Sequence, residues 1–290
     1  MNSKKSIIAV SVATVALLLG SIAPAQADWK ADLVTKGTLT NCIDPEYPPM
    51  EYYSNGTSGK IIGFDADASA ALAKELKLKI KQLATSFDGL IPALNAGRCD
   101  IVWTALYLSN KRLAVADGVP YLETGAGVVV AKGNPKKITD LSFSLCGKRM
   151  AAQGASSNEG ILIAQNKVCL DTGKKGIAIS SYPKVSETVG ALLNGKVDGL
   201  IETDVGCGDI VSKNSKRLEV AKGYFLGDVQ FAAYMNKGAG LTPVVQKAVE
   251  KLISNGTLAK IAKKYNLDPE KLTSVGAPIY TLGRPRKIKA

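Results

Sequence analysis

The 290-residue sequence contains no histidine and few aromatic residues, 6% of the total. Without histidine, the chain cannot form a histidine-dependent catalytic triad, a histidine general base or a histidine metal site. Its five cysteines lack the C-x-x-C spacing of zinc and redox sites. We therefore expect neither a bound metal nor a cofactor.

Apolar runs long enough to cross a membrane are missing after the first 27 residues. Residues 1–27 have the order of a secretory signal peptide, because Lys4 and Lys5 precede an apolar run that is followed by the small-residue sequence AQA at 25–27. This pattern predicts cleavage before Asp28 and a soluble mature protein outside the cytoplasm.

Basic residues exceed acidic ones, with a formal net charge of +12, but they are spread along the chain rather than clustered among aromatic residues. A nucleic-acid-binding groove would need such clusters. The sequence therefore predicts no nucleic-acid partner, and solubility and weak attraction to anionic surfaces explain the charge.

Five cysteines in an exported chain indicate disulfides, and the odd number leaves at least one cysteine free or paired outside the chain. Cys146 and Cys169 flank one predicted strand–loop–helix unit and form the favoured pair. Cys42 and Cys99 lie near opposite ends of predicted parallel strands, which makes their pairing awkward. Cys207 has no evident partner.

Strands and helices alternate along the chain in two series, the first over about residues 37–106 and the second over about 125–203. This order predicts mostly parallel sheets flanked by helices. Two such series, followed by a helical C-terminal segment that packs back on the first, predict an α/β fold of two lobes around a cleft. Ligands of these sheets bind beyond the carboxyl ends of the strands.

The predicted boundaries place lobe 1 at about residues 28–123 and 236–290, and lobe 2 at about 128–227. Residues 124–127 and 228–235 then form the two hinge segments, and the lobes would close around a ligand by bending at them.

One arginine stands at the carboxyl end of a predicted strand, in the stretch DIVWTALYLSNKR that ends at Arg112. A guanidinium can bind a planar carboxylate through two parallel charge-assisted hydrogen bonds. The alternative is a surface arginine that opens a solvated helix. Its place beyond a strand end favours a site for a small carboxylic acid.

Other strand ends carry further candidates. The first strand leads into a proline-stiffened loop with Asp44 and Tyr47, which could equally be a rigid surface loop. Phe87 precedes a helix and is either a cleft-lining ring or a hydrophobic staple. Ser156 and Ser157 lie at a helix N-terminus, where hydroxyls and free N–H groups bind an anion or simply cap the helix.

Several motifs follow one another in a specific order and spacing: DPEYPP at 44–49, GFDAD at 63–67, LIPAL at 90–94, SNKR at 109–112, GKRMAAQGASSNE at 147–159, LNGKVD at 193–198 and the segment 256–265. Through them, nearly the whole mature chain resembles the periplasmic solute-binding proteins of polar amino acid ABC transporters. These are the type II binding proteins typified by those for lysine, arginine and ornithine, for histidine or for glutamine. The resemblance implies the two-lobed type II fold and capture of a polar amino acid or a close derivative of one. Asp44, Glu46 and the aromatic residues weakly favour a cationic amino acid.

The resemblance also implies roles for individual residues. Arg112 would clamp the ligand's α-carboxylate, with help from Ser156 and the backbone around Ser157. Tyr47 and Phe87 would sandwich the ligand side chain. The other implied contacts are a carboxylate for a cationic side chain at Asp44, strand-end contacts at Thr104, Ala105 and Tyr107, and a ring face for a cation at Trp103.

One position departs from the family pattern. Family members usually carry an aspartate for the α-amino group five residues after Asp198, whereas this chain has Thr203 there, between Glu202 and Asp204. Either a neighbouring acid takes this role, or the amino group is held in another way, or the ligand has none.

The resemblance further implies a monomer in the periplasm, with a membrane permease and its ATPase as partners. Two alternatives remain open. Exported cyclohexadienyl (arogenate or prephenate) dehydratases share the fold, and Glu202 or Asp204 could then act as an acid. Ligand-sensing modules also use such lobes, although the sequence shows no signalling segment.

Overall fold

The computed structural model describes residues 29–222 and 229–276. The predicted signal peptide at 1–27 and the last fourteen residues of predicted lobe 1, 277–290, lie outside this part of the chain. Within it, no helix combines the length and the apolar character that a membrane span needs.

The described residues form thirteen strands and eight α-helices. The strands are β1 (Thr38–Ile43), β2 (Glu46–Tyr47), β3 (Glu51–Tyr53), β4 (Ile61–Ile62), β5 (Lys79–Ala84), β6 (Ile101–Val102), β7 (Ala116–Thr124), β8 (Ala126–Ala131), β9 (Arg149–Gln153), β10 (Ala178–Tyr182), β11 (Gly199–Thr203), β12 (Leu218–Val220) and β13 (Val229–Asn236). The helices are α1 (Phe64–Glu75), α2 (Leu90–Asn95), α3 (Asn110–Leu113), α4 (Ser157–Asp171), α5 (Val185–Leu193), α6 (Asp204–Asn214), α7 (Leu241–Ser254) and α8 (Thr257–Lys264).

Two five-stranded sheets form the centres of the two lobes. The first lobe is built on the order β5-β1-β6-β13-β7 and the second on β10-β9-β11-β8-β12. In each sheet three neighbouring strands are parallel, and the next two pair antiparallel. The structure thus has the two-lobed α/β architecture that the alternating pattern predicts.

The chain passes between the sheets twice. Strand β7 continues through Gly125 directly into β8, and the return leads from β12 to β13. Residues 229–235, suggested by the sequence as most of the second hinge segment, lie within β13, where their apolar side chains are buried against β7. The exact lobe boundaries stay a prediction.

Helices bury their apolar faces against these sheets. Helix α1 packs on β5 and buries Phe64, Ala68 and Leu72 completely, because residues four apart lie on one face of a helix. Helix α4 buries Ile161 and Leu162 and packs on β9 in the second lobe. Full burial of one such leucine contributes about 1.5–3 kcal/mol.

The predicted disulfide in the second lobe is confirmed. Cys146 and Cys169 are bonded, with their Cα atoms 5.6 Å apart. This bond ties the segment before β9 to the last turn of α4. Cys207 is buried and free.

A second disulfide joins Cys42 to Cys99 in the first lobe, with Cα atoms 5.7 Å apart, so the expectation of an awkward pairing was wrong. The chain bends at Asp100, whose carboxylate accepts the N–H of Thr40 at 2.7 Å. Cys99 therefore does not extend β6 backwards. It lies beside Cys42 in the apolar layer beneath α2.

Candidate ligand-binding site

A pocket lies between the lobes, where β1, β6, β9 and β11 end. Its empty volume is about 490 Å³, including the space open to solvent. It gathers all the predicted site residues except Trp103 and Asp204. The lining residues are Asp44, Glu46, Tyr47, Glu51, Phe87, Thr104, Ala105, Tyr107 and Arg112 from the first lobe, and Gln153, Ser156, Ser157, Asn158, Val185, Glu202 and Thr203 from the second.

Arg112 lies in the short helix α3, which Ser109 caps. Its Nη1 donates to the carbonyl oxygen of Tyr107 at 2.9 Å and to Ser157 Oγ at 3.2 Å. Burial lowers the pKa of Arg112, yet a guanidinium stays protonated in proteins. Among the described residues, none of the ion pairs involves Arg112. A positive charge therefore lines the pocket without a protein anion beside it.

The start of α4 lies next to this guanidinium. Ser156 is the N-cap residue, because its Oγ accepts the N–H of Glu159 at 3.0 Å. The first N–H groups of a helix have no intrahelical partner and favour an anion. Ser157 begins the helix and contacts Arg112, so the two lobes bring two anion-binding elements together.

In the first lobe, a hydrogen-bonded chain of carboxyl groups runs from the pocket into the core. The Thr104 hydroxyl donates to Glu51 Oε1 at 2.8 Å and accepts the N–H of Asp44 at 3.0 Å. Burial and the neighbouring Asp65 raise the pKa of Glu51 well above its usual range. Burial and the charge of Glu46 raise the pKa of Asp44 to about 7.

Asp65 supports this wall from behind. It accepts hydrogen bonds from the N–H of Ala105 at 2.6 Å, from Tyr121 Oη at 2.8 Å and from Trp103 Nε1 at 3.1 Å. Trp103 is completely buried, so it holds Asp65 in place and presents no ring face to the pocket. The same bonds fix Ala105 at a φ of 40°, a left-handed conformation that is unusual for alanine.

In the second lobe, Glu202 is the penultimate residue of β11 and lines the pocket. Its Oε1 accepts the N–H of Thr203 at 2.7 Å, the Tyr47 hydroxyl at 3.0 Å and Asn158 Nδ2 at 3.3 Å. Burial raises the pKa of Glu202 to about 7. Thr203 is the N-cap of α6 and accepts the N–H of Gly206 at 2.9 Å.

Asp204 belongs to the crossing between the lobes rather than to the pocket. Its Oδ1 accepts the Thr124 hydroxyl at 2.6 Å, and its Oδ2 pairs with Lys271 Nζ at 2.8 Å. Tyr107 lines the pocket but anchors at the same crossing, because its hydroxyl donates to the carbonyl oxygen of Gly125 at 2.9 Å.

Tyr47 links the two lobes across the pocket. Its hydroxyl donates to Glu202 and forms a short hydrogen bond with Thr203. Gly206 makes this approach possible: a β-carbon there would collide with the Tyr47 hydroxyl and lie 2.6 Å from Glu202 Cγ. Phe87, at the start of a short 3₁₀ helix, also lines the pocket.

Five lining residues were not among the predicted site residues: Glu46, Glu51, Gln153, Asn158 and Val185. Asn158 directly follows the predicted Ser156 and Ser157, so extending the helix-start argument by one residue would have found it. The sequence around Glu51 does not predict a place at the pocket. Glu51 lies at the start of β3, and only the pairing of β3 with β2 brings it beside Tyr47.

Comparisons with known proteins agree with this architecture. The family profile described as bacterial extracellular solute-binding proteins, family 3, matches residues 39–268. The lysine/arginine/ornithine-binding periplasmic protein of Escherichia coli (strain K12) is 28% identical over 275 residues, covering 90% of this chain and 96% of that protein. An L-cystine-binding protein of the same strain is 26% identical over 231 residues, covering 79% and 83%.

A solved structure of an ancestral arginine-binding protein bound to arginine superposes with a TM-score of 0.71 at 29% identity. The match covers 79% of this chain and 98% of that protein. The relatives above are named as binding proteins and not as enzymes, which leaves the dehydratase alternative without support.

Proposed function

Since the chain belongs to the bacterial extracellular solute-binding proteins of family 3, we propose that it captures a polar amino acid whose carboxylate is bound by Arg112. We further propose that it acts in the periplasm as a monomer after cleavage of residues 1–27, and that it delivers the ligand to an ABC permease with its ATPase. The observation that carries the proposal is the guanidinium of Arg112, which lines the pocket without a carboxylate partner.

The clamp would draw on both lobes. Arg112 comes from the first lobe, and the N–H groups at the start of α4 come from the second, with Ser157 already in contact with Arg112. Charge-assisted hydrogen bonds contribute about 1.5–3 kcal/mol each, more than neutral ones. A ligand without a carboxylate would leave these donors unmatched.

The acidic groups of the pocket support a cationic ligand. Asp44, Glu46, Glu51 and Glu202 line it together with Arg112. Burial raises the pKa of Asp44 and Glu202 to about 7, and a bound cation would favour their ionised forms. Lys184 pairs with Glu46 at the rim and offsets one of these charges. The arginine-binding and lysine/arginine/ornithine-binding proteins to which the chain is similar add support. The rings of Tyr47 and Phe87 would then flank an extended side chain.

Lobe closure would seal the ligand in. The predicted lobes, 28–123 with 236–290 and 128–227, would bend where the chain passes from β7 to β8 and from β12 to β13. The Tyr47 hydroxyl of the first lobe bonds to Glu202 and Thr203 of the second, and this contact would hold the lobes closed. Inside such a site, a ligand with the wrong groups leaves buried polar atoms unpaired, which gives selectivity.

A thermal-shift screen of the mature protein tests the proposal. Amino acids, organic acids and amines are compared, because a ligand that binds only the folded state raises the melting temperature. We expect stabilisation by one or more polar amino acids and none by the corresponding amines without a carboxylate. Arg112→Ala should abolish the shift, while Lys111→Ala, an exposed neighbour in the same helix, should preserve it. Stabilisation of Arg112→Ala equal to that of the unmodified protein would refute the clamp.

A further inference from the structure

Basic side chains gather at one edge of the second-lobe sheet, at the end opposite the pocket. Strands β9, β10, β11 and β12 begin at this edge, and β8 ends there. Four segments therefore lie side by side and form the basic edge: residues 132–149, 172–177, 194–198 and 215–217. Although these segments are far apart in the sequence, together they contain ten basic residues against two acidic ones, and nine of the ten are exposed.

Backbone contacts hold the segments of the basic edge together. The N–H of Lys132 donates to the carbonyl oxygen of Arg217 at 2.8 Å, and the N–H of Gly147 donates to that of Gly176 at 3.2 Å. The Cys146–Cys169 disulfide ties the residue before Gly147 to the end of α4. The folded sheet thus fixes the positive charges on one surface.

The two acidic residues of the basic edge are already bonded within it. Asp140 Oδ1 accepts the N–H groups of Ser142 and Ser144, and Asp198 pairs with Arg149 at 2.7 Å. Five lysines of the edge form no ion pair with another described residue: Lys137, Lys174, Lys175, Lys196 and Lys216. Such a concentration of unpaired charge attracts an anionic partner.

Two large apolar side chains are exposed beside these lysines. Phe143 is 50% exposed and Leu170 is 57% exposed. Lys174 Nζ lies 5.2 Å from the centroid of the Phe143 ring. Leu170 lies against the connection to β10, because a β-carbon at Gly176 would be 3.2 Å from Leu170 Cδ2. Exposed apolar side chains flanked by lysines are typical of surfaces that lie on anionic membranes.

We propose that the basic edge binds the anionic headgroups of a phospholipid bilayer, with Phe143 and Leu170 in the headgroup layer. A lipid surface offers negative charge to the lysines and an apolar layer to the two side chains. A soluble polyanion would meet the lysines but leave both apolar side chains in water. The inference goes beyond the proposed function, because it concerns the end of the sheet away from the pocket and would keep the protein at a membrane.

Sedimentation with vesicles tests the proposal. The mature protein is mixed with vesicles of phosphatidylcholine alone or with about 30% phosphatidylglycerol added, and we expect at least about tenfold stronger binding to the anionic vesicles. Raising the ionic strength from about 0.1 M to 1 M should release the protein, since the screening length falls from about 10 Å to 3 Å. Equal binding to both kinds of vesicle, or none to the anionic ones, would overturn the proposal.

A pair of variants with the same net charge separates the basic edge from general attraction. One variant replaces four lysines of the edge by glutamine: Lys137, Lys174, Lys175 and Lys196. Its control replaces four exposed lysines of the first lobe by glutamine: Lys36, Lys60, Lys81 and Lys247. The edge variant should bind the anionic vesicles more than about 100-fold more weakly, since each basic residue near such a surface contributes about fivefold, and the control should lose less than about fivefold. Equal losses would refute a localised surface.

The apolar contribution is tested without a change of charge. Phe143→Ser should weaken vesicle binding about three- to tenfold, because the exposed half of its ring would otherwise leave water on binding. Val34→Ser, at a 46% exposed position of the first lobe, is the control and should bind as the unmodified protein does. If Phe143→Ser binds the vesicles unchanged and the unmodified protein also binds heparin, the edge is a general polyanion surface and the assignment to lipid is wrong.

These outcomes are separate from those of ligand capture. The edge variant should keep the melting temperature and the amino acid-dependent shift of the unmodified protein, because its substitutions lie away from the pocket. If it loses these together with vesicle binding, the lysines support the fold and the membrane surface is wrong. If no amino acid stabilises the unmodified protein while vesicle binding follows the edge, the proposed function fails and the membrane surface stands.

Discussion

The two lobes present polar groups to the same pocket in different ways. In the first lobe, Thr104 and Asp65 bind the groups of the wall to one another, so Asp44, Glu51 and Ala105 are held from within the lobe. In the second lobe, Glu202 takes one of its donors, the Tyr47 hydroxyl, from the opposite lobe. Each wall also has one buried oxygen without a partner among the described residues, Glu51 Oε2 in the first and Asn158 Oδ1 in the second. The walls therefore differ in where their donors come from: the first is bonded within its own lobe, and the second depends in part on closure.

The disulfides extend this difference to stability, because each lobe has one and the loops they close differ in length. Cys42–Cys99 spans 57 residues and Cys146–Cys169 spans 23. In the chain-entropy estimate, replacing both cysteines by serine costs about 4 kcal/mol for the first pair and about 3 kcal/mol for the second. Urea unfolding of the two double variants measures the free energies.

The discriminating result is which double variant loses more free energy of unfolding. Full reduction of the unmodified protein should destabilise it more than either double variant. A larger loss for the second-lobe pair would show that native packing around α4, and not loop entropy, dominates there.

The buried carboxyl groups predict an unusual pH dependence. Burial raises the pKa of Asp44 and Glu202 to about 7 and that of Asp65 to about 6. The folded state then holds more protons than the unfolded chain, so stability without ligand is greatest near the unfolded pKa values and falls as the pH rises towards 7. We expect the melting temperature to be several degrees lower at pH 8 than at pH 5, since 1 kcal/mol corresponds to about 2–4 °C.

The melting temperature as a function of pH also tests the carboxyl groups in the wall of the first lobe. Glu51→Gln supplies Asp65 with a permanent neutral donor, so it should flatten the pH dependence and raise the melting temperature above pH 7. Asp171→Asn, on the exposed end of α4, should leave the curve unchanged. A melting temperature that rises from pH 5 to pH 8 would contradict the assignment of raised pKa values.

Sequence reasoning located those parts of the site that depend on where strands end. Asp44 directly follows β1 and Glu202 is the penultimate residue of β11, and the alternation of strands and helices predicts that such ends meet at one edge. Arg112 lies in α3, ten residues after β6 ends, because the observed strand is much shorter than the predicted one. Side chains that reach the pocket from elsewhere, such as Glu51 across the hairpin of β2 and β3, follow no period in the sequence. Trp103 was predicted at the site but does not line the pocket. It is completely buried and bonded to Asp65, and this long-range contact leaves no pattern in the sequence.

The Cys42–Cys99 bond could not be predicted for a similar reason. Pairing of parallel strands fixes the distance between residues inside the strands, whereas Cys99 lies before β6, in a segment that bends at Asp100. That bend depends on a carboxylate bound to the backbone of Thr40, sixty residues away in the chain. Long-range contacts of a single side chain leave no periodic pattern.

Removing single contacts between the lobes should give the smallest changes in ligand affinity. These changes compare a buried contact with an exposed one. Tyr47→Phe keeps the ring but removes the buried hydroxyl that bonds to Glu202 and Thr203, so amino acid affinity should fall about 5- to 10-fold through a less stable closed form. Lys184→Ala removes an ion pair with Glu46 whose side chains are 50% and 33% exposed. Because exposed pairs contribute little, affinity should change by less than about threefold. Calorimetric titration measures both, and a larger loss for Lys184→Ala would show that closure depends on rim charges instead of the buried tyrosine.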